Sequence, residues 1–281
     1  MVEMITITSH WWSSHCPDML RSLTRVLVVV VGICLPAAAQ WINHRAATTP
    51  RTKDGKPNLA AAAPRDSQGR PDLSGIWQRI PPINMPDNTG FDNGLQYYVP
   101  DGFQIPFQLW ADALYKERFR KFGTGRPSER CLPHGIPDAM LVPAPFKLIQ
   151  NRGLTLILYE ESNHFRQIFT DGRRHPSDMN PAWFGYSLGT WEGETFVVDS
   201  VGFNDLTWLD DSGHPHTDAL HTIERFRRQD FGHMELEVTI DDSKAYTKRW
   251  SAKIPLGLLP DTELIEDICA NEKDVVHLQV K

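Results

Sequence analysis

From Leu154 to Ile240 the apolar positions recur with a period of two, the signature of strands with one face buried. Leu154, Leu156 and Leu158 alternate with Thr155, Ile157 and Tyr159. Glu161-Ser162-Asn163 makes a turn, and Phe165-Arg166-Gln167-Ile168-Phe169 returns as a second strand closed by Asp171-Gly172. A second hairpin runs through Tyr186-Ser187-Leu188-Gly189-Thr190-Trp191, turns at Glu192-Gly193 and returns through Thr195-Phe196-Val197-Val198-Asp199. A third pairs His221–Arg227 with His233–Ile240, on which Met234, Leu236, Val238 and Ile240 share one face. Tyr246–Ile254 is a further strand. The period lengthens between Ile105 and Phe122, where Pro106 suits a first turn, Phe107, Trp110 and Leu114 share a helical face, and Gly123 ends it. Leu264, Ile265 and Ile268 predict a short C-terminal helix capped by Asp261. Gly125–Pro145 is rich in proline and reads as an extended crossing segment.

Successive hairpins predict a mainly β protein: an antiparallel barrel or strongly curved sheet with one long helix and the short C-terminal one. No βαβ alternation and no glycine-rich phosphate loop is present, which disfavours nucleotide-binding α/β folds. Gly75-Ile76-Trp77 and Gly189-Thr190-Trp191 stand at strand positions. They resemble the Gly-x-Trp of the calycins, the lipocalins and their relatives, in which the tryptophan plugs the barrel base. That resemblance implies inward core positions for Trp77 and Trp191. The longer segments 70–77 (RPDLSGIW), 185–193 (GYSLGTWEG) and Asn271-Glu272-Lys273-Asp274 resemble an uncharacterised family of exported bacterial proteins. This second resemblance spans most of the chain past the leader. It implies secretion and a β-rich fold, and it assigns no activity.

Val26–Leu35 is the one long apolar run. Arg21 and Arg25 precede it and Pro36-Ala37-Ala38-Ala39 follows, which predicts a secretory signal over residues 1–39 cut after Ala39. Its ten residues are too short for a span, which takes roughly 20. Translation can begin at Met1 or at Met19, which heads a compact leader. Of the 281 residues, 242 remain after cleavage. Residues 40–71 are expected to form a disordered linker and 72–281 a single β-rich domain. The linker holds a small repeat, Asp54-Gly55-Lys56-Pro57-Asn58-Leu59 and Gln68-Gly69-Arg70-Pro71-Asp72-Leu73.

With the leader gone, Cys131 and Cys269 are the cysteines that remain, and in an oxidising compartment they are expected to form one disulfide. No C-x-x-C spacing supports a metal site on them. The formal net charge of −6 argues against a nucleic-acid partner.

The densest polar segment runs from Phe203 to Arg228. His214, His216 and His221 are candidate metal ligands, with Glu224 able to complete a site, although Pro215 constrains the first two. His216, His221, Glu224 and His175 are the candidate catalytic residues, because imidazoles change charge near neutral pH and a carboxylate can orient one. His221 and Glu224 lie three apart, so they reach one site only through a bulge or a late strand start. Arg166, if directed into a barrel, needs a carboxylate partner and can hold an anionic head group. Tyr186, Trp183 and Trp208 are candidate cavity-lining aromatics. Gly185-Tyr186-Ser187-Leu188-Gly189 spells G-x-S-x-G, but the flanking hairpin lacks the strand-to-helix elbow that a serine hydrolase needs.

The leading expectation is a periplasmic or secreted barrel binding a small, partly apolar or aromatic molecule. A second is a hydrolase or lyase on the same barrel that uses histidine and carboxylate groups, with or without a metal. A third is a partner-binding envelope protein. The mature chain is expected to have no membrane span, and no motif names a cofactor.

Overall fold

A computed structural model describes residues 45–82 and 93–269. The leader and Asn271-Glu272-Lys273-Asp274 lie outside the described residues. Nine strands close into a barrel, each hydrogen-bonded to the next and the ninth to the first. They are β1 (Gly75–Arg79), β2 (Phe146–Asn151), β3 (Leu154–Tyr159), β4 (Phe165–Phe169), β5 (Tyr186–Glu192), β6 (Thr195–Val201), β7 (His221–Arg228), β8 (His233–Asp241) and β9 (Trp250–Leu258). Strand direction cannot alternate all the way round a ring of nine, so one pair must run parallel. That pair is β4 and β5, with Ile168 opposite Ser187 and Phe169 opposite Leu188. Residues 170–185 carry the chain back along the barrel to make it so.

Strand alternation fills the interior. Met234, Leu236, Val238 and Ile240 of β8 point inward, as their period predicts, beside Phe226 of β7 and Ile254 and Leu256 of β9. Trp77 of β1 is fully buried, and its indole Nε1 donates to the Leu73 carbonyl at 2.9 Å. The Arg228 guanidinium lies 4.9 Å from its ring centroid. Gly75 is required here: its φ is +148°, and a Cβ would stand 2.6 Å from Leu258. Trp191 points the same way but lies at the strand end, half-buried beneath Arg70 and 5.2 Å from Phe196. It is a rim residue and not a core plug, because the barrel ends one residue beyond it.

The two ends of the barrel differ. At one, which we call the turn end, short hairpins join β2 to β3, β5 to β6 and β7 to β8. At the other, the loop end, long connections before β2, β7 and β9 build a cap. Helix α1 (Leu109–Arg120) belongs to this cap and is shorter than its sequence pattern. Phe107 pairs with Tyr246 as an isolated bridge, and Gln108 N–H donates to the Ala245 carbonyl, so the residues around Pro106 are held extended. The expected strand over Tyr246–Ile254 starts instead at Trp250, because Tyr246 folds into a turn over Asp242.

Two further expectations are corrected. The short helix over Leu264–Ile268 is absent, since no residue from Thr262 to Cys269 takes helical structure. The segment satisfies its polar groups on the β3–β4 turn: Ile265 N–H donates to Glu160 and Asp267 accepts from Ser162 and Asn163. Asp261 accepts from Arg51 and from Ala46 N–H and caps nothing. From Arg45 onward, the stretch expected as a disordered linker is bonded to the barrel. Its two sequence copies form twin loops, bridged Arg51 to Pro57 and Arg65 to Pro71. Leu59 and Ala61 carbonyls accept from Gly232 and Phe231 N–H at the turn end. The disulfide is formed as expected between Cys131 and Cys269, whose Cα atoms are 5.4 Å apart. No helix among the described residues is long and apolar enough to cross a membrane.

Candidate functional site

Inside the barrel, Arg166 of β4 meets Glu224 of β7, and both are almost completely buried. Arg166 Nη1 donates to Glu224 Oε1 at 2.9 Å, and Nη2 to Oε2. Its Nε donates to Ser187 Oγ at 3.0 Å and Nη2 to Ser200 Oγ at 2.8 Å. The inward arginine thus has the carboxylate its burial demands. Burial alone would lower its pKa, and Glu224 outweighs that and raises it. With every guanidinium nitrogen donating within the barrel, the pair is a core element. Ser187 sits on a strand within the same network, bonded to Arg166 and Ser200, with no histidine among its partners.

The candidate residues do not form one site: His175 and His221 meet at Asp199, while His214, His216 and Glu224 lie elsewhere. His221 opens β7 on the outer face, while Glu224 points inward, and the register with β8 runs without a bulge from His221–Asp241 to Arg228–Met234. His221 Nε2 and His175 Nε2 both bond Asp199 Oδ1, at 3.1 and 2.9 Å, on the barrel exterior. Tyr186 is close by, stacked on Phe169 and receiving a hydrogen bond from Arg173. His216 is buried in the cap, with Nε2 2.5 Å from Thr207 Oγ1 and Nδ1 donating to the Thr217 carbonyl at 3.0 Å. Burial holds its pKa below the ordinary range. His214 is fully buried between Phe107, Tyr115 and Trp250, with Nδ1 2.6 Å from Asp210 Oδ2. Trp208 lies under the Arg118 guanidinium, 4.1 Å away, and Trp183 is half-buried on the approach to β5. Arg166, Tyr186, Trp183 and Trp208 therefore occupy separate surroundings.

A different group does converge. In the cap, His134 Nδ1 lies 2.6 Å from Asp138 Oδ2 and 3.8 Å from Asp211 Oδ1, and Nε2 lies 3.0 Å from Glu161 Oε1. Burial would depress the imidazole pKa, but Asp138 and Glu161 raise it well above its ordinary range. Burial, and then the neighbouring Asp211, push the Asp138 carboxyl up. Beside them a cavity of about 10 Å³, room for a single water, is walled by Tyr159, Phe184 and His164. His134 and Asp138 fall in the segment read as a proline-rich crossing, which has no period to mark an inward face. The signal that was there is the four-residue spacing across Gly135-Ile136-Pro137. Gly135 has φ +81°, and a Cβ there would stand 2.7 Å from Thr207, so the turn is tightly packed.

At the turn end lies an open cleft of about 340 Å³. Trp191 forms one wall. Gln68, Arg70, Gln150, Asn151, Arg152, Thr155, Thr170 and Thr190 supply the polar lining. Arg70 is fixed there by Asp66, which accepts from Nε at 3.0 Å and from Nη2 at 2.8 Å.

No protein-family model, curated protein or solved structure matches this chain.

Proposed function

We propose that the protein is an exported barrel that binds a small, partly aromatic molecule in the cleft at its turn end. The observation that carries this reading is the cleft itself. Its volume of about 340 Å³ falls in the range of small-molecule sites, roughly 300–1,000 Å³. Trp191 supplies apolar surface, and amides, hydroxyls and two arginines, one of them over its ring, supply orienting groups around it. The barrel interior is taken up by the hydrophobic core and the Arg166–Glu224 pair, so the ligand is assigned to an end of the barrel. The resemblance to exported bacterial proteins and the disulfide support a periplasmic or secreted location.

Calorimetric titration with a panel of aromatic carboxylates and neutral aromatic alcohols tests this. At least one compound is expected to bind saturably, and Trp191→Leu is expected to weaken it tenfold or more. Absence of any binding, or binding unaffected by Trp191→Leu and Arg152→Ala, would refute the reading. A second reading, a metal-assisted hydrolase or lyase on the same barrel, draws its support from the buried His134 between carboxylates in the cap and not from His214, His216 or His221.

A further inference from the structure

The cap cluster lies at the opposite end of the barrel from the cleft and stands independently of it. His134, Asp138 and Asp211 each offer a ligand atom, and these atoms lie within 4.8 Å of one another. Asp138 is only 3% exposed, and its Oδ1 is buried without a hydrogen-bond partner. Asp211 Oδ1 is likewise without one; Arg126 Nε stands 3.5 Å from it, outside hydrogen-bond geometry. A buried carboxylate oxygen left unpaired is costly, so two of them, on carboxylates that both face His134 Nδ1, ask for a cation.

We propose that His134 Nδ1, Asp138 and Asp211 bind one divalent transition-metal ion of the zinc class. Tetrahedral zinc with ligands at ~2.0–2.1 Å places its donors about 3.4 Å apart. The observed separations from Nδ1, 2.6 Å to Asp138 and 3.8 Å to Asp211, bracket that spacing. On binding, the proton shared between Nδ1 and Asp138 leaves to solvent and both atoms become ligands. Nε2–H stays on Glu161 Oε1 at 3.0 Å, the carboxylate–histidine arrangement that orients metal-binding imidazoles. Asn93 Nδ2 donates to Asp211 Oδ2 at 2.9 Å, leaving Oδ1 on the His134 side. Charge agrees as well. Asp138, Asp211 and Glu161 lie around His134, with Asp210 acting on the first two, and Arg126 is the one cation among the described residues set against Asp211, so a divalent ion offsets an excess of negative charge once His134 is neutral. One imidazole with two carboxylates suits zinc better than calcium or magnesium, which favour all-oxygen shells. Three protein donors leave a position open, the pattern of a reactive rather than a closed structural site.

Metal-stripped, disulfide-bonded protein titrated with Zn²⁺ by calorimetry, and with Co²⁺ by visible absorption, tests the assignment. One tight equivalent is expected, with four-coordinate Co²⁺ bands. Asp211→Asn is expected to weaken Zn²⁺ tenfold or more, and Glu161→Gln, which removes a positioning residue, by about 10–100-fold with a changed Co²⁺ spectrum. The paired His175→Ala/His221→Ala variant, which removes the exterior histidines, is expected to leave the tight equivalent intact. Arg126→Gln, at the cap surface, removes a competing cation and is expected to tighten binding severalfold, which keeps the test alive if Asp211→Asn fails to fold. No saturable equivalent, its loss with the exterior histidines, or unchanged or weaker binding in Arg126→Gln would overturn the proposal.

Discussion

Glu224 and Arg166 show how a charged pair survives inside a barrel. Two ions leave water together; Glu224 accepts from both terminal nitrogens of Arg166, and Ser187 and Ser200 each accept one further bond from the guanidinium. Removing one partner strands the other. Glu224→Gln is expected to cost about 3–5 kcal/mol in a urea titration, while Arg166→Met combined with Glu224→Gln recovers a large part of it, because the uncompensated charge is gone. A double variant no better than the single one would mean that the serines, and not the charge, dominate. His216 makes a second residue-scale case. Its Nδ1 donates to a carbonyl, so Nε2 accepts from Thr207, and a proton on Nε2 would turn that bond round and leave a charged imidazole buried in the cap. The folded pKa lies below the unfolded value near 6.5. The neutral imidazole therefore contributes stability that is present above about pH 6.5 and is lost as pH falls through the folded pKa. His216→Asn, which keeps the donor to Thr217, is expected to flatten the fall in Tm between pH 7 and pH 5. An unchanged slope would place the acid sensitivity elsewhere.

At the scale of elements, what could be read from the sequence depended on whether one face of the element is buried. β8 reads directly, with its alternating apolar positions all turned inward. β7 reads from its pairing with β8, although Thr222, Glu224 and Arg228 carry polar groups inward. β2 escaped notice because Pro143 and Pro145 mark the preceding stretch as irregular. The parallel β4–β5 pair follows from the closure of nine strands, which no local pattern announces. The opposition of His221 and Glu224 was legible in their spacing of three. The convergence of His134 with Asp211 was not, since 77 positions of chain separate them and only barrel closure brings the two loops together. Cys131 and Cys269 were legible as a pair, and their bond ties the cap to the segment after β9. It closes 138 positions of chain, and the chain-entropy model gives about 4–5 kcal/mol for loops of that order. Reduction is expected to lower the denaturation midpoint accordingly and to expose residues 262–269 to protease first. A midpoint indifferent to reductant would show that the cap holds without the bond.

At the scale of the whole molecule, the nine described strands close on themselves, with the parallel β4–β5 seam, paired at two positions, as the shortest join. Both cysteines lie outside the strands, which separates formation of the barrel from formation of the disulfide. That separation gives the export reading a concrete test. Expressed with its leader in a bacterial host, the protein is expected in the periplasmic fraction, beginning at Gln40 and with Cys131 bonded to Cys269. Expressed from Gln40 in the cytosol, the same chain is expected to give the same far-UV circular dichroism, because the strands need no disulfide to pair. Its two thiols would be free and its melting temperature lower, and mild oxidation would restore both. Mass spectrometry of unreduced peptides and N-terminal sequencing read the two outcomes. An intact leader on the product would remove the compartment argument. A cytosolic chain without β signal would show instead that the bond is needed before the barrel can close.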